Sequence, residues 1–165
     1  MSKVYDDFIH FVVVPLLDCG ELLYQRPPTL RCQMPGLAAL SSKTPAPGVV
    51  SMTRAHRDSD FAAHHGAEIN FWIPVTRVWG SNSLYAESEP ELQDFHAFEL
   101  SYGEMAIFNG SRCLHYTEAN RTDAVRVSFD FRVIPKSLAK GWRHATGKHE
   151  LAQYDFVSSK KAVGF

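Results

Sequence analysis

The sequence predicts a mainly β protein built as an antiparallel sandwich or barrel. Three observations predict it. Beyond Val49, short apolar segments recur at spacings near ten residues. Turn residues separate them, and no helical pattern intervenes between them. Two segments, Glu68–Pro74 (EINFWIP) and Ala124–Ile134 (AVRVSFDFRVI), alternate apolar and polar residues with the period of a strand.

The elements follow in order. Tyr5 to about Val14 reads as a short buried helix that Pro15 stops, although Val12-Val13-Val14 also suits a strand. Gln25-Arg26-Pro27-Pro28 reads as a rigid connector and Thr29–Met34 as a strand. Pro35–Gly48, rich in Pro, Gly, Ser and Ala, is a loop and a candidate flap. Strands are then expected over Val49–Asp58, Glu68–Pro74, Ser83–Glu87, Phe95–Leu100, Glu104–Phe108, Leu114–Glu118 and Ala124–Ile134. Turns fall at Trp79–Asn82, Tyr102-Gly103, Asn109-Gly110 and Asn120–Asp123. After Pro135 the chain is polar and mixed, with a helix expected near Lys148–Gln153. With 165 residues, no repeat and no second domain, residues 1–165 read as one domain, its core about 29–135 and 136–165 a C-terminal extension.

Composition narrows the function. Lys+Arg is 17 and Asp+Glu 18, a net charge of −1, so the chain lacks the basic excess that a general nucleic-acid binder uses against phosphates. Three cysteines without a CxxC pair argue against a disulfide scaffold or a structural zinc site, and for a reducing compartment. Met1–Phe8 has no basic signal-peptide region, and the apolar run Phe8–Leu17 is too short for a bilayer, which takes about 20 residues. The expectation is a cytoplasmic protein with no membrane partner.

Eight histidines direct attention to metal chemistry. His56 and Asp58, two positions apart in a candidate strand, point to one side and can hold one ion together. His115, at the start of a later strand, completes two histidines and a carboxylate, the facial set of non-haem Fe(II) oxygenases. HxD alone is weak: eight His and nine Asp in 165 residues give roughly 0.4 matches by chance. The context adds weight. Alternation places Arg126, Ser128, Asp130 and Arg132 on one face of their strand, and Glu68, Asn70 and Trp72 on one face of theirs. These polar faces either meet water or line an inner cleft. In the second case the Arg126 fork and the Ser128 hydroxyl suit the distal carboxylate of a 2-oxo acid whose other end sits on iron. Asn70 is a candidate to bond that acid or the substrate.

The order HxD, a distal His and then R-x-S resembles the Fe(II)/2-oxoglutarate-dependent oxygenases of the phytanoyl-CoA hydroxylase type, and more narrowly the StrG-type group of streptomycin biosynthesis. The stretches that carry the resemblance are Gln25–Met34 (QRPPTLRCQM), His56–Asp60 (HRDSD), Glu68–Thr76 (EINFWIPVT), Gly80–Glu89 (GSNSLYAESE) and Arg126–Pro135 (RVSFDFRVIP). The resemblance implies a double-stranded β-helix, the cupin-like jelly roll, with a few flanking helices. It implies Fe(II) on His56, Asp58 and His115, and 2-oxoglutarate on Arg126 and Ser128. It implies dioxygen and a small-molecule substrate, with succinate and CO2 as coproducts. The chain is short for that superfamily, which implies a more open pocket or one closed by a partner subunit, so a homodimer is a candidate assembly.

Asp60 is the alternative carboxylate to Asp58. His64 and His65 read as loop or pocket-rim residues, and His96 as part of a solvated face. Arg31 and Gln33 share a face at a candidate pocket mouth, Trp72 is a pocket wall or core residue, and Cys113 is a small buried hydrophobe. Two rival functions stand against the oxygenase. One is a cupin-type metalloenzyme that does not use 2-oxoglutarate, for which HxD replaces the usual HxH. The other is a non-catalytic jelly-roll binding module.

Overall fold

The computed structural model describes residues 2–37, 40–41, 54–61, 64–142, 147–149 and 154–159. Its elements are α1 (Ser2–Phe8), a π-helical stretch (Ile9–Val13), α2 (Val14–Leu16), β1 (Leu22–Arg26), β2 (Thr29–Gln33), β3 (Leu40–Ser41), a 3₁₀ turn (Asp58–Asp60), β4 (Ile69–Pro74), a second 3₁₀ turn (Gly80–Asn82), β5 (Tyr85–Ala86), β6 (His96–Ala97), β7 (Ala106–Phe108), β8 (His115–Tyr116), β9 (Arg126–Pro135), β10 (Gly147–His149) and β11 (Tyr154–Ser158). An eight-stranded antiparallel sheet runs β10-β11-β1-β9-β2-β3, with β4 joining β9 to β7. A three-stranded sheet runs β6-β5-β8.

The long strand β9 organises the larger sheet. Along one edge it pairs β4, from Ile69↔Val133 to Pro74↔Ser128. Along the other it pairs β1 (Leu22↔Pro135 to Tyr24↔Val133) and then β2 (Thr29↔Asp130 to Gln33↔Arg126). β1 and β2 are therefore one edge partner interrupted at Pro27-Pro28, where two residues without an N–H cannot continue the ladder. The register slips there by two positions, an even number, so the same residues keep facing the same side. The expected connector at 25–28 thus shrinks to its two prolines, and Gln25 and Arg26 belong to a strand that the sequence did not suggest.

The two faces of this sheet are both covered. Phe71, Phe131 and Val133 lie on one face, under Ile9, Val13, Tyr5 and Phe8 of the N-terminal helical segment. The Phe71 and Phe131 rings stack with centroids 5.1 Å apart. This segment is helical as expected, but Pro15 does not stop it. Helical turns continue to Leu16, and the wider π turns before the proline absorb its missing donor. The opposite face carries Asn70, Arg126, Ser128 and Arg132, all buried. The smaller sheet meets it there. Arg126 donates to the Asn82 and Ser83 carbonyls, each 3.1 Å away, just before β5. The polar face therefore lines an interior, not solvent.

Two expectations are corrected. No strand covers the described part of Val49–Asp58: His56 forms only an isolated bridge to His115, and Asp58 opens a 3₁₀ turn. Residues 49–53 lie outside the described residues. The helix near Lys148–Gln153 is replaced, where described, by β10, which pairs with β11. β11 in turn pairs β1 from Leu23↔Ser158 to Arg26↔Asp155, so the segment after Pro135 returns to the main sheet. Of the candidate flap, the described residues include a turn at 35–36, a bend at 37 and β3. Among the described residues, no helix is long and apolar enough to cross a membrane.

Candidate metal centre and anion pocket

His56, Asp58 and His115 come together although no strand carries the first two. The backbones of His56 and His115 exchange hydrogen bonds of 3.2 and 3.0 Å, and their ring centroids lie 4.5 Å apart. The Asp58 amide donates to the Gly110 carbonyl at 2.8 Å, which brings the 3₁₀ turn beside β8. One ligand atom from each of the three residues lies within 4.8 Å of the other two. Asp60, the alternative carboxylate, instead accepts from the Arg57 amide at 2.8 Å and caps the turn.

The donor set fits a divalent transition ion. His56 Nδ1 lies 2.9 Å from the Arg54 carbonyl and His115 Nδ1 3.1 Å from the Cys113 carbonyl. A carbonyl only accepts, so both Nδ1 atoms carry the proton and both Nε2 lone pairs are left for an ion. His115 Nε2 is 3.7 Å from Asp58 Oδ1. Burial pulls the His115 pKa down to about 4, against the opposing pull of Asp58, which keeps the ring neutral. Burial alone would raise the Asp58 pKa. The charge and hydrogen bonds of Arg132, helped by His115 and His64, instead hold this carboxyl well below the usual carboxylate range.

The His115 shift has a consequence for stability. Its folded pKa, about 4, lies below the ordinary histidine value of 6.5, so the unfolded chain binds the extra proton first. Stability that is intact above pH 6.5 is therefore expected to fall as the pH drops toward 4, by about 3 kcal/mol in all. Urea unfolding of metal-free protein across that window measures it, with His115→Asn flattening the slope. A slope unchanged by that substitution counts against a neutral buried His115.

A second triad, Asp58, His64 and Glu68, also has ligand spacing. Its centre is taken by a guanidinium. Arg132 Nε lies 2.7 Å from Asp58 Oδ2 and 3.5 Å from Glu68 Oε2, and Arg132 Nη2 lies 2.8 Å from Asp58 Oδ1. A cation there would meet a fixed positive charge, so the group is an ion-pair network. His64, expected at a rim, is nearly buried, with Nδ1 2.7 Å from Glu68 Oε2. His65 donates its amide to the other Glu68 oxygen at 2.8 Å. Gln25 accepts from Arg132 Nη1 at 3.2 Å.

Further along β9, Arg126 has no exposed surface and lies 5.8 Å over the Trp72 ring. Burial pulls its pKa down to about 10, which leaves it charged at neutral pH. Among the described residues only Nη1 is satisfied, by the two carbonyls, and Nε and Nη2 have no partner. Ser128 Oγ, Gln33 Oε1 and Thr117 Oγ1 are also buried without partners among the described residues. Unsatisfied buried donors are costly, and the two unpartnered Arg126 nitrogens, with the Ser128 hydroxyl two positions along the same strand, mark a place for an anion. Gln33, opposite Arg126 in the β2–β9 register, is wholly buried and not at a mouth. Arg31 is ion-paired to Asp130. Asn70 turns its amide to Asp58 Oδ2 at 2.7 Å, at the metal end of the face rather than the Arg126 end. Cys113 is buried and His96 exposed, as expected.

Arg132 and Thr117 escaped the sequence reading as site residues. A signal for each was present. Four polar residues on one face of a strand require buried partners if that face turns inward, and Thr117 follows His115 by the two positions that keep a strand face.

No family model matches the chain. The streptomycin biosynthesis protein StrG of Streptomyces griseus is 34% identical over 137 residues, which is 83% of this chain and 58% of StrG. The chain thus spans a little over half the length of that relative. Among solved structures, the nickel complex of the non-haem monooxygenase ThoJ superposes with a TM-score of 0.54 at 17% identity, over 77% of this chain and 49% of that one. SnoK, a non-haem α-ketoglutarate-dependent carbocyclase from nogalamycin biosynthesis, gives a TM-score of 0.53 at 16% identity, over 90% of this chain and 67% of that one. With its two antiparallel sheets, the chain has the mainly β, jelly-roll-like fold of these non-haem oxygenases.

Proposed function

We propose that the protein is an Fe(II)- and 2-oxoglutarate-dependent oxygenase that hydroxylates a small molecule, with His56, Asp58 and His115 as iron ligands and Arg126 and Ser128 as the clamp for the distal carboxylate. The observation that carries this is the wholly buried Arg126, whose Nε and Nη2 lack partners beside an unpartnered Ser128 hydroxyl, on the strand face that also holds Asp58 through Arg132. A cupin-type enzyme that does not use 2-oxoglutarate, or a plain binding module, leaves those buried donors without a use. The likeness of the chain to StrG, and of its fold to an α-ketoglutarate-dependent carbocyclase, supports the same reading.

Bound together, Fe(II) and 2-oxoglutarate supply the oxidising chemistry: dioxygen is consumed, 2-oxoglutarate becomes succinate and CO2, and a substrate carbon is hydroxylated. The chain orients the participants. Arg126 and Ser128 fix one end of the cosubstrate, and the buried guanidinium charge offsets that of the carboxylate. The Arg54 and Cys113 carbonyls hold the two imidazoles in the ligating tautomer. Arg132 neutralises the buried Asp58 charge.

An anaerobic titration with Fe(II) and then 2-oxoglutarate tests the proposal. A weak visible charge-transfer band of the chelate is expected with the unaltered protein and absent in His115→Ala. Iron binding without the band favours the cupin alternative. No iron binding at all favours the binding module.

A further inference from the structure

We infer that, given a metal ion on His56, Asp58 and His115 as proposed above, Arg132 and Asn70 are positioning residues that leave Asp58 a single donor position on Oδ1. A carboxylate offers about four lone-pair sites, two on its inner, chelating edge and one outward on each oxygen. The Arg132 fork occupies the chelating edge, Nη2 on Oδ1 at 2.8 Å and Nε on Oδ2 at 2.7 Å. Asn70 Nδ2 takes the outer site of Oδ2 at 2.7 Å. Among the described residues, no group within hydrogen-bonding distance fills the outer site of Oδ1. That oxygen is also the one that lies 3.7 Å from His115 Nε2.

Gly110 makes this arrangement possible. A Cβ there would lie 2.5 Å from Asn70 Nδ2 and 2.7 Å from its Cγ, so the amide reaches Asp58 only over a bare backbone. The same glycine accepts the Asp58 amide at 2.8 Å. The consequence is a fixed coordination count. An octahedral ion with three single-atom protein donors keeps three open positions, enough for a two-point 2-oxo acid and dioxygen. A chelating Asp58 would remove one of them.

Mn(II) alone serves as the probe, by solution titration of free Mn(II) and by crystal structures of the Mn(II)-loaded protein, the intact chain beside Asn70→Ala and Arg132→Lys. In the intact chain Mn(II) is expected on Oδ1 only, with Arg132 and Asn70 keeping their bonds. Arg132→Lys, which cannot fork, is expected to let the second oxygen join the ion. Asn70→Ala leaves the guanidinium pair in place and is expected to weaken Mn(II) binding by roughly 10–100-fold, the usual cost of losing an outer partner of a ligand. That second variant keeps the test open should Arg132→Lys fail to fold. Mn(II) chelated by both oxygens or bound through Oδ2 in the intact chain overturns the inference and spares the metal centre, as does unchanged affinity in Asn70→Ala. Mn(II) absent from His56, Asp58 and His115 overturns the metal centre itself.

Discussion

Asp58→Ala is expected to abolish iron binding and turnover and to destabilise the metal-free protein by about 3–5 kcal/mol. The two losses have separate causes. The first is the loss of the only carboxylate among the three gathered ligands. The second comes from Arg132, whose side chain is 11% exposed and whose fork would face an empty space. Glu68, 3.5 Å from Arg132 Nε, remains as a counter-charge, but a buried cation that loses its two-point partner costs far more than the intact pair is worth. Urea unfolding of metal-free protein measures the second effect and an Fe(II) titration the first. Asp58→Asn separates them further, since it keeps the shape and one acceptor but not the charge. Retained turnover in Asp58→Ala would move the carboxylate ligand to Asp60.

Arg126→Ala is expected to weaken 2-oxoglutarate binding by about 2–5 kcal/mol, from some tens-fold to a few thousand-fold. The guanidinium is wholly buried, so the charge-assisted pair to a carboxylate is little screened. Iron affinity without cosubstrate is expected to stay close to that of the intact chain, because Arg126 bonds to the Asn82 and Ser83 carbonyls and to none of the three ligands. Arg126→Lys keeps the charge and loses the fork, and is expected to fall between the two. Equal 2-oxoglutarate affinity in Arg126→Ala and the intact chain removes the clamp from this residue.

Much of this arrangement was legible in the chain. The alternation in EINFWIP and RVSFDFRVIP predicts strands β4 and β9, which pair over six positions and set the two faces of the sheet. Three site residues named from HxD and the later histidine are gathered within ligand reach. The reason given for His56 and Asp58 was not the right one. They converge through a β-bridge and a 3₁₀ turn, since backbone pairing to His115 and Gly110 overrides what a strand period would dictate. Strand β1 was missed because Leu22–Gln25 is buried on both faces and so shows no alternation, and because the prolines after it suggest a connector. Arg132 was passed over because its role lies in a long-range pair to Asp58, 74 positions away, which local periodicity does not reveal.

The pairing of β1 sets the order in which the fold is completed. Leu22 and Ser159 exchange hydrogen bonds across 137 positions, and β1 is flanked by β9 on one side and β11 on the other. Closing so long a loop carries an entropic cost that must be met before either contact stabilises anything. Strands β4, β7 and β9 are nearer in sequence, so their pairing closes shorter loops. β1 is translated early but cannot gain its second neighbour until β11 has been made. Until then the edge of β1 that will receive β11 is open, and the aggregation hazard of an unpaired strand edge is concentrated there during synthesis.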